Sequence, residues 1–266
     1  MRSSFLLLIA AAGFLTAGVG PSAGAAVAND GYLTYGGIAR GRRANEFLYG
    51  ERHFLRYANG EVAERVVLYT CRDGSAFARK SVAYVDRTAP DFLLENVLDG
   101  MREGIRDSGD AERTVFFRAH GGDPEKTGPM PRIAGLVADA GFDEYVQSHW
   151  RELMSGAPLV MRFLVPGHLT DYGFQVQHLR RETVLGVSTE VFRLRLAGFW
   201  GWFLPGSEVY YDAASRVLVR YDGLSDLRDA AGDNYKVLID FTESERKPST
   251  AEAMRAARAA SLAPCR

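Results

Sequence analysis

The residues best suited to chemistry in this sequence are few and dispersed. No two of its five histidines have the i, i+4 spacing that places two metal ligands on one face of a helix, and no Cys/His cluster is present. His168 and Asp171 are spaced like a catalytic pair, but they border a Pro-Gly turn, where a local hydrogen bond is the commoner arrangement. We therefore predict no metal site. The histidines are His53, His120, His149, His168 and His178.

The motifs of nucleophilic catalysis and phosphate binding are absent from the sequence. It contains no G-x-S-x-G, no phosphate loop and no G-x-G-x-x-G. Asp99 and Glu103 are candidates for a carboxylate pair, but such residues on a strand edge are generally solvated. The sequence thus predicts no catalytic residue and no cofactor, and an enzyme is the least supported class.

Aromatic residues are the most distinctive feature of the chain. Phe199-Trp200-Gly201-Trp202-Phe203 lies in a stretch without charge between Arg195 and Glu208. A run of this kind usually packs over other apolar side chains or contacts a ligand or partner. Two interpretations stay open: the aromatic residues are a packed core, or they line an apolar cavity with the run as its lip. The candidate ligand-binding residues are Phe199, Trp200, Trp202, Phe203, Trp150, Phe163, Phe192 and Tyr210.

The N-terminus predicts export. Arg2 precedes an apolar run over 5–15, followed by small residues up to Ala28, as in a secretory signal peptide cleaved between Ala25 and Ala28. The alternative is a membrane anchor, but the run is shorter than the ~20 residues that span a bilayer. We expect residues 1–28 to be the signal peptide, residues 29–266 to be one β-rich domain, and the mature protein to be periplasmic, without a transmembrane segment.

The two cysteines fit an oxidising compartment. Cys71 and Cys265 are both in the mature chain, where a pair of cysteines favours one disulfide. The alternative is a buried free Cys71 and an exposed Cys265. The formal net charge of -1, from 32 basic and 33 acidic residues, leaves no basic stripe and makes nucleic acid an unlikely partner.

The elements that must position these residues are mostly strands. Alternating apolar residues over 47–57 and 62–71, separated by Asn59-Gly60, predict a hairpin, and 77–85 adds a third strand. The Gly- and Arg-rich residues 29–44 lack periodicity and are interpreted as an extended lead-in. Residues 92–106 favour a strand over a helix, because Gly100 and Gly104 would each cost a helix about 1 kcal/mol.

Helices are predicted at two places. Apolar residues at helical spacing within 133–154 indicate a central helix region capped by Asp143 and interrupted by Gly141. Ser249-Thr250-Ala251-Glu252 resembles a capping box before an alanine-rich helix over 253–262. A second meander of strands occupies 172–241. The predicted fold is α+β and mostly β: about ten antiparallel strands forming a curved sheet, an open half-barrel, around the central helix, plus a C-terminal helix.

Part of the second meander carries a resemblance. Tyr210-Tyr211-Asp212, residues 218–229 and 235–241 resemble the C-terminal strands of uncharacterised exported bacterial proteins. The element order over 45–242 is more loosely similar to the LolA/LolB/RseB-type lipoprotein-carrier fold. That resemblance implies a half-barrel with an apolar cavity, although the chain has no recognisable lipid-binding signature.

Two classes of function follow from these observations. The first is a periplasmic binding or carrier protein for a lipid or other apolar ligand held in a concave sheet. The alternative is a non-enzymatic structural or interaction protein of the cell envelope, with the aromatic run contacting another envelope protein.

Overall fold

The computed structural model describes residues 30–107, 112–198, 206–229 and 231–266. Within them, sixteen strands and three α-helices are present, so the prediction of about ten strands was too low. The strands are β1 (Gly31–Gly41), β2 (Phe47–Ala58), β3 (Glu61–Thr70), β4 (Ala76–Ala83), β5 (Asp91–Asn96), β6 (Arg102–Asp107), β7 (Arg113–Arg118), β8 (Lys126–Pro129), β9 (Leu136–Val137), β10 (Leu159–Val165), β11 (Thr170–Val184), β12 (Val187–Leu196), β13 (Ser207–Asp212), β14 (Leu218–Arg228), β15 (Asn234–Asp240) and β16 (Lys247–Pro248). The helices are α1 (Gly141–Ser148), α2 (Trp150–Leu153) and α3 (Ala251–Arg258).

The strands form one sheet built from two meanders that meet at β1. The order across the sheet is β8-β7-β6-β5-β4-β3-β2-β1-β15-β14-β13-β12-β11-β10-β9, and β16 adds to one end of β1. All pairs are antiparallel except β9 with β10. The end strands β8 and β9 do not pair with each other, so the sheet stays open. The predicted open, curved antiparallel sheet is confirmed.

The central strand β1 corrects the interpretation of residues 29–44 as a lead-in. β1 pairs with β2 along nearly its whole length and with β15 at its C-terminal end. The glycines of β1 interrupt the alternation of apolar and polar side chains by which a strand is recognised. One of these glycines is required by packing. A Cβ on Gly37 would lie 2.6 Å from the ring of Phe241, so only glycine lets that ring cover the strand.

Residues 92–106 are a hairpin, β5 and β6, instead of one strand. Gly100 has φ +76° at the turn, a conformation that glycine adopts without steric cost. The prediction of β-structure for residues 92–106 is therefore confirmed, but the segment is two strands and not one.

The central helix is shorter than its apolar pattern suggested. Leu136 and Val137 form β9, and only Gly141–Ser148 and Trp150–Leu153 are helical. Asp143 lies in the first turn of α1 and does not cap it, because Ala140 occupies the cap position without a side-chain bond. Instead the Asp143 carboxylate accepts hydrogen bonds from Tyr211 Oη at 2.8 Å and from the Arg65 guanidinium at 3.3 Å. It ties α1 to both halves of the sheet.

The two faces of the sheet have different coverings. The inner face, defined as the face that carries α1 and α2, holds most of the buried core, including a cluster around Trp150, Phe192 and Tyr211. A second inner cluster joins Phe92 and Ile105 of β5 and β6 with Leu164 of β10. The sheet therefore folds over, so that β9 and β10 pack onto the inner face of β4–β7.

The outer face carries α3 and the C-terminal segment. Met254 and Ala257 pack on Val66. The helix is capped as expected, but one residue later than the capping box implies: Thr250, and not Ser249, accepts a hydrogen bond from Ala253 N at 3.1 Å. The disulfide between Cys71 and Cys265 is present, as predicted.

No helix in the described parts of the chain has the length and apolar character needed to cross a membrane. The predicted signal peptide, residues 1–28, lies outside the described residues.

Candidate functional site

The aromatic candidates fall into three places. Phe199, Trp200, Trp202 and Phe203 lie outside the described residues. Trp150 of α2 and Phe192 of β12 are buried between the helix and the sheet, with ring centroids 5.1 Å apart. Phe163 packs against the same cluster. Tyr210 is on the outer face, where it packs with Val191 and Val219.

The helices fill the inner face over β10–β14. Trp150 is 8% exposed and Phe192 fully buried, while Trp150 and Tyr211 meet edge to face at 6.1 Å. Phe163 packs against Phe174 with ring centroids 5.4 Å apart. Each of the three inner candidates therefore contacts another ring, and they are packed as a core.

His168 and Asp171 do not form a pair. His168 Nδ1 is 2.7 Å from Tyr172 Oη, whereas Asp171 pairs with Arg162. In the described chain, no group of three or more His, Cys, Asp or Glu side chains is arranged to hold a metal ion.

A charged cluster on the inner face was missed by the sequence analysis. The ammonium of Lys80, on β4, lies 2.5 Å from Asp139 and also contacts Asp226 of β14. Burial acts to lower the pKa of Lys80, but the two carboxylates together hold it well above its usual value. Lys80 is therefore a charged, fully engaged side chain and not a free nucleophile.

Glu103 belongs to the same inner region. It lies directly across from Leu94 of β5, which in turn pairs with Lys80. Burial raises the pKa of Glu103 to about 8, and the neighbouring Asp226 and Asp139 add to the rise. The expectation that Glu103 would be solvated on a strand edge was wrong. The signal that could have revealed it is its alternation in phase with Met101 and Ile105, both buried.

The outer face of β3–β7 contains a groove of about 520 Å³ beside α3. Its floor is a stripe of four residues that are direct neighbours across four strands: Ser81 opposite Leu93, Leu93 opposite Gly104, and Gly104 opposite Phe116. We call this the apolar stripe. Three inter-strand spacings give it a length of about 14 Å.

Small residues create the depth of the groove. Ser81 and Ala83 on β4 leave the space between larger neighbours empty. A Cβ on Gly104 would lie 1.8 Å from the carbonyl oxygen of Phe92 and 2.9 Å from the ring of Phe116, so glycine is obligatory there. Phe116 lies over Gly104 and is 2% exposed.

Helix α3 forms one wall of the groove. Arg258 pairs at 2.5 Å with Glu64, which also pairs with Arg56 at 2.8 Å. The segment after the helix is held by a hydrogen bond from the Arg79 guanidinium to the carbonyl of Ala260 at 2.9 Å and by the disulfide at Cys265.

Cations exceed anions around the groove. In the ion pairs that border it, six arginines share four carboxylates. Arg106 lies over the Phe116 ring at 4.6 Å and pairs with Glu125 at 2.8 Å. The arginines are Arg56, Arg79, Arg102, Arg106, Arg113 and Arg258; the acids are Glu64, Asp91, Glu95 and Glu125.

Arg102 is the least engaged of these arginines. Its nearest carboxylate oxygens, on Glu95 and Glu125, are 3.6 and 3.7 Å away, beyond hydrogen-bonding distance. Its Nε is buried without a hydrogen-bond partner among the described residues. The side chain nevertheless keeps 34% of its surface exposed. The groove therefore combines an apolar floor with an available guanidinium.

No protein-family model matches this chain, and no curated protein matches its sequence.

Proposed function

We propose that the protein is a non-enzymatic binding or carrier protein for an apolar ligand, and that the ligand lies in the outer groove. The observation that carries the proposal is the groove of about 520 Å³ beside α3, whose floor crosses four strands. Its volume is within the ~300–1,000 Å³ of small-molecule sites, which combine an apolar lining with a few polar groups.

The outer groove is favoured over the inner face because the two faces differ in free space. The inner face over β10–β14 is occupied by α1, α2 and stacked aromatic side chains. On the outer face, small side chains leave a depression that a ligand chain would fill.

The proposal keeps the exported location. The disulfide is compatible with an oxidising compartment, and the apolar N-terminal run is the motif that supports secretion. The lipoprotein-carrier fold that the chain resembles is also an open half-barrel, but the site proposed here is on the opposite face from a cavity enclosed by the sheet.

The test is binding of the neutral fluorophore N-phenylnaphthylamine to the full mature protein and to variants. Ser81→Phe fills the apolar stripe and is expected to weaken binding at least tenfold. Val160→Phe is the matched control, because it adds the same ring at a position on β10 that is 67% exposed and outside the groove. Circular dichroism would verify that both variants fold.

A second variant separates the groove from the aromatic run. Trp200→Ala combined with Trp202→Ala is expected to retain fluorophore binding. Loss of binding in that variant, with Ser81→Phe unaffected, would refute the groove as the site. Absence of binding to the unmodified protein would refute the proposed function.

A further inference from the structure

The charges around the groove determine which apolar ligands it favours. We infer that the groove selects single-chain amphiphiles with an anionic head group, and that Arg102 binds that head group. This inference rests on the proposed function, since it names the ligand class of the same groove.

The groove is complementary in charge to an anionic ligand. The residues that line the groove include three arginines, Arg102, Arg106 and Arg258, and two carboxylates, Glu64 and Asp91, so the lining carries excess positive charge. An anion entering the groove meets attraction, whereas a cation meets repulsion.

Arg102 is the arginine of the groove that can bind an anion without losing a close carboxylate partner. Arg106 and Arg258 each hold a carboxylate at 2.8 Å or less, so a ligand would have to compete with an existing partner. Arg102 has only distant acids and an unpartnered Nε. A guanidinium binds carboxylate or phosphate through two parallel hydrogen bonds, which Arg102 can form without breaking one.

Arg102 is also placed next to the apolar stripe. Arg102 and Gly104 are two residues apart on β6 and point to the same face, so the guanidinium lies at the edge of the apolar stripe. A chain lying along the stripe can therefore place its terminal head group beside Arg102 while its methylenes cover Ser81 and Leu93. This arrangement suits one chain of about 14 Å and one head group.

The test is displacement of N-phenylnaphthylamine from the full mature protein by three ligands that share a twelve-carbon chain. Dodecanoate and dodecyl phosphate are anionic, and monolauroylglycerol is neutral. At pH 8 and low salt, we expect both anions to bind about tenfold more tightly than the neutral ligand, because a charge-assisted hydrogen bond contributes about that much. The tighter of the two anions would identify a carboxylate or a phosphate as the preferred head group.

Variants of Arg102 assign the selectivity to that residue. Arg102→Gln is expected to abolish the preference for anions while leaving monolauroylglycerol affinity unchanged, and Arg102→Lys to retain part of the preference. Arg52→Gln is the matched control, since Arg52 is exposed on the outer face of β2 and does not line the groove.

The outcomes separate this inference from the proposed function. Equal affinity of all three ligands for the unmodified protein would overturn the anion selectivity while apolar binding stands. A preference that persists in Arg102→Gln would overturn the role of Arg102. Failure of every ligand and of the fluorophore to bind would overturn the proposed function itself.

Discussion

Glu103 shows how one inward position on a strand controls the ionisation of a side chain. Alternation in β6 points Glu103 to the inner face between Leu94 and Phe117, where water is scarce. Burial there favours the neutral acid, and Asp226 and Asp139 oppose a further negative charge. The neighbouring Lys80 is already engaged by those two aspartates and compensates only in part.

Glu103→Gln is predicted to stabilise the protein in a pH-dependent way. The carboxyl has a pKa of 4.5 in the unfolded chain and about 8 in the folded protein. Below pH 4.5 both states hold the proton, and as the pH rises towards 8 only the unfolded state releases it, so folding becomes progressively less favourable. The variant should therefore gain little at pH 4 and about 2 kcal/mol at pH 8.

Urea unfolding at both pH values measures this effect, with the exposed Glu245→Gln as the control. A gain in the free energy of unfolding that is the same at pH 4 and pH 8 would contradict a raised pKa for Glu103.

Lys80→Met is predicted to destabilise the protein by about 3 kcal/mol, because it leaves the partly buried carboxylates of Asp139 and Asp226 without their cation. Adding Asp139→Asn should restore part of the loss, since it removes one uncompensated charge. Asparagine also tolerates the left-handed conformation of Asp139, φ +44°. Chemical denaturation of the single and double variants checks this, and a double variant no more stable than Lys80→Met would argue against the cluster as described.

At the scale of elements, α3 depends on tertiary ties more than on its own length. It has eight residues, fewer than an isolated helix needs to be stable in water. Thr250 caps its N-terminus, Met254 and Ala257 pack on the outer face, and Cys265 anchors the following segment to Cys71. Since α3 is also the wall of the groove, those ties bear on ligand binding.

Replacing both cysteines by serine is predicted to lower the free energy of unfolding and loosen α3. The disulfide joins residues 194 positions apart, for which chain entropy gives a loss of about 5 kcal/mol. Hydrogen exchange should speed up most in 251–258, and fluorophore affinity should fall as the wall loosens. Thr250→Ala, which removes only the cap, should cost about 1 kcal/mol. Unchanged exchange in α3 without the disulfide would show that packing alone holds the helix.

For the whole molecule, side chains hold the two ends of the sheet together. Leu164 of β10 is 1% exposed and lies in the cluster with Phe92 and Ile105, although no hydrogen-bonded strand pair in the described chain links β8 with β9. The curvature therefore depends on apolar packing across the interior.

Leu164→Ala is predicted to cost about 3 kcal/mol, the usual range for removing a buried leucine side chain. Val160→Ala, on the same strand but 67% exposed, should change the stability by less than about 0.5 kcal/mol. If the interior cluster unites the sheet, tryptophan fluorescence and circular dichroism will report one shared transition in Leu164→Ala. Two separate transitions would mean that the halves fold independently.

Short-range patterns in the sequence were sufficient for several features. Asn59-Gly60 predicts its hairpin, and both residues have positive φ there. The alternation around Val66 predicts its strand, and two cysteines in an oxidising compartment predict the disulfide. The turn and the strand alternation follow from local backbone chemistry, so the mostly β fold could be predicted from them.

The remaining features depend on residues that are distant in sequence. β1 became a central strand because Phe241 covers Gly37, and Asp143 became a tether because Arg65 and Tyr211 reach it from opposite halves of the sheet. The groove exists only where Ser81, Leu93, Gly104 and Phe116 meet in register. Cross-strand register is set by the packing of the whole sheet, so the sequence alone determined the kind of fold, and the tertiary structure decided where an apolar surface stays open.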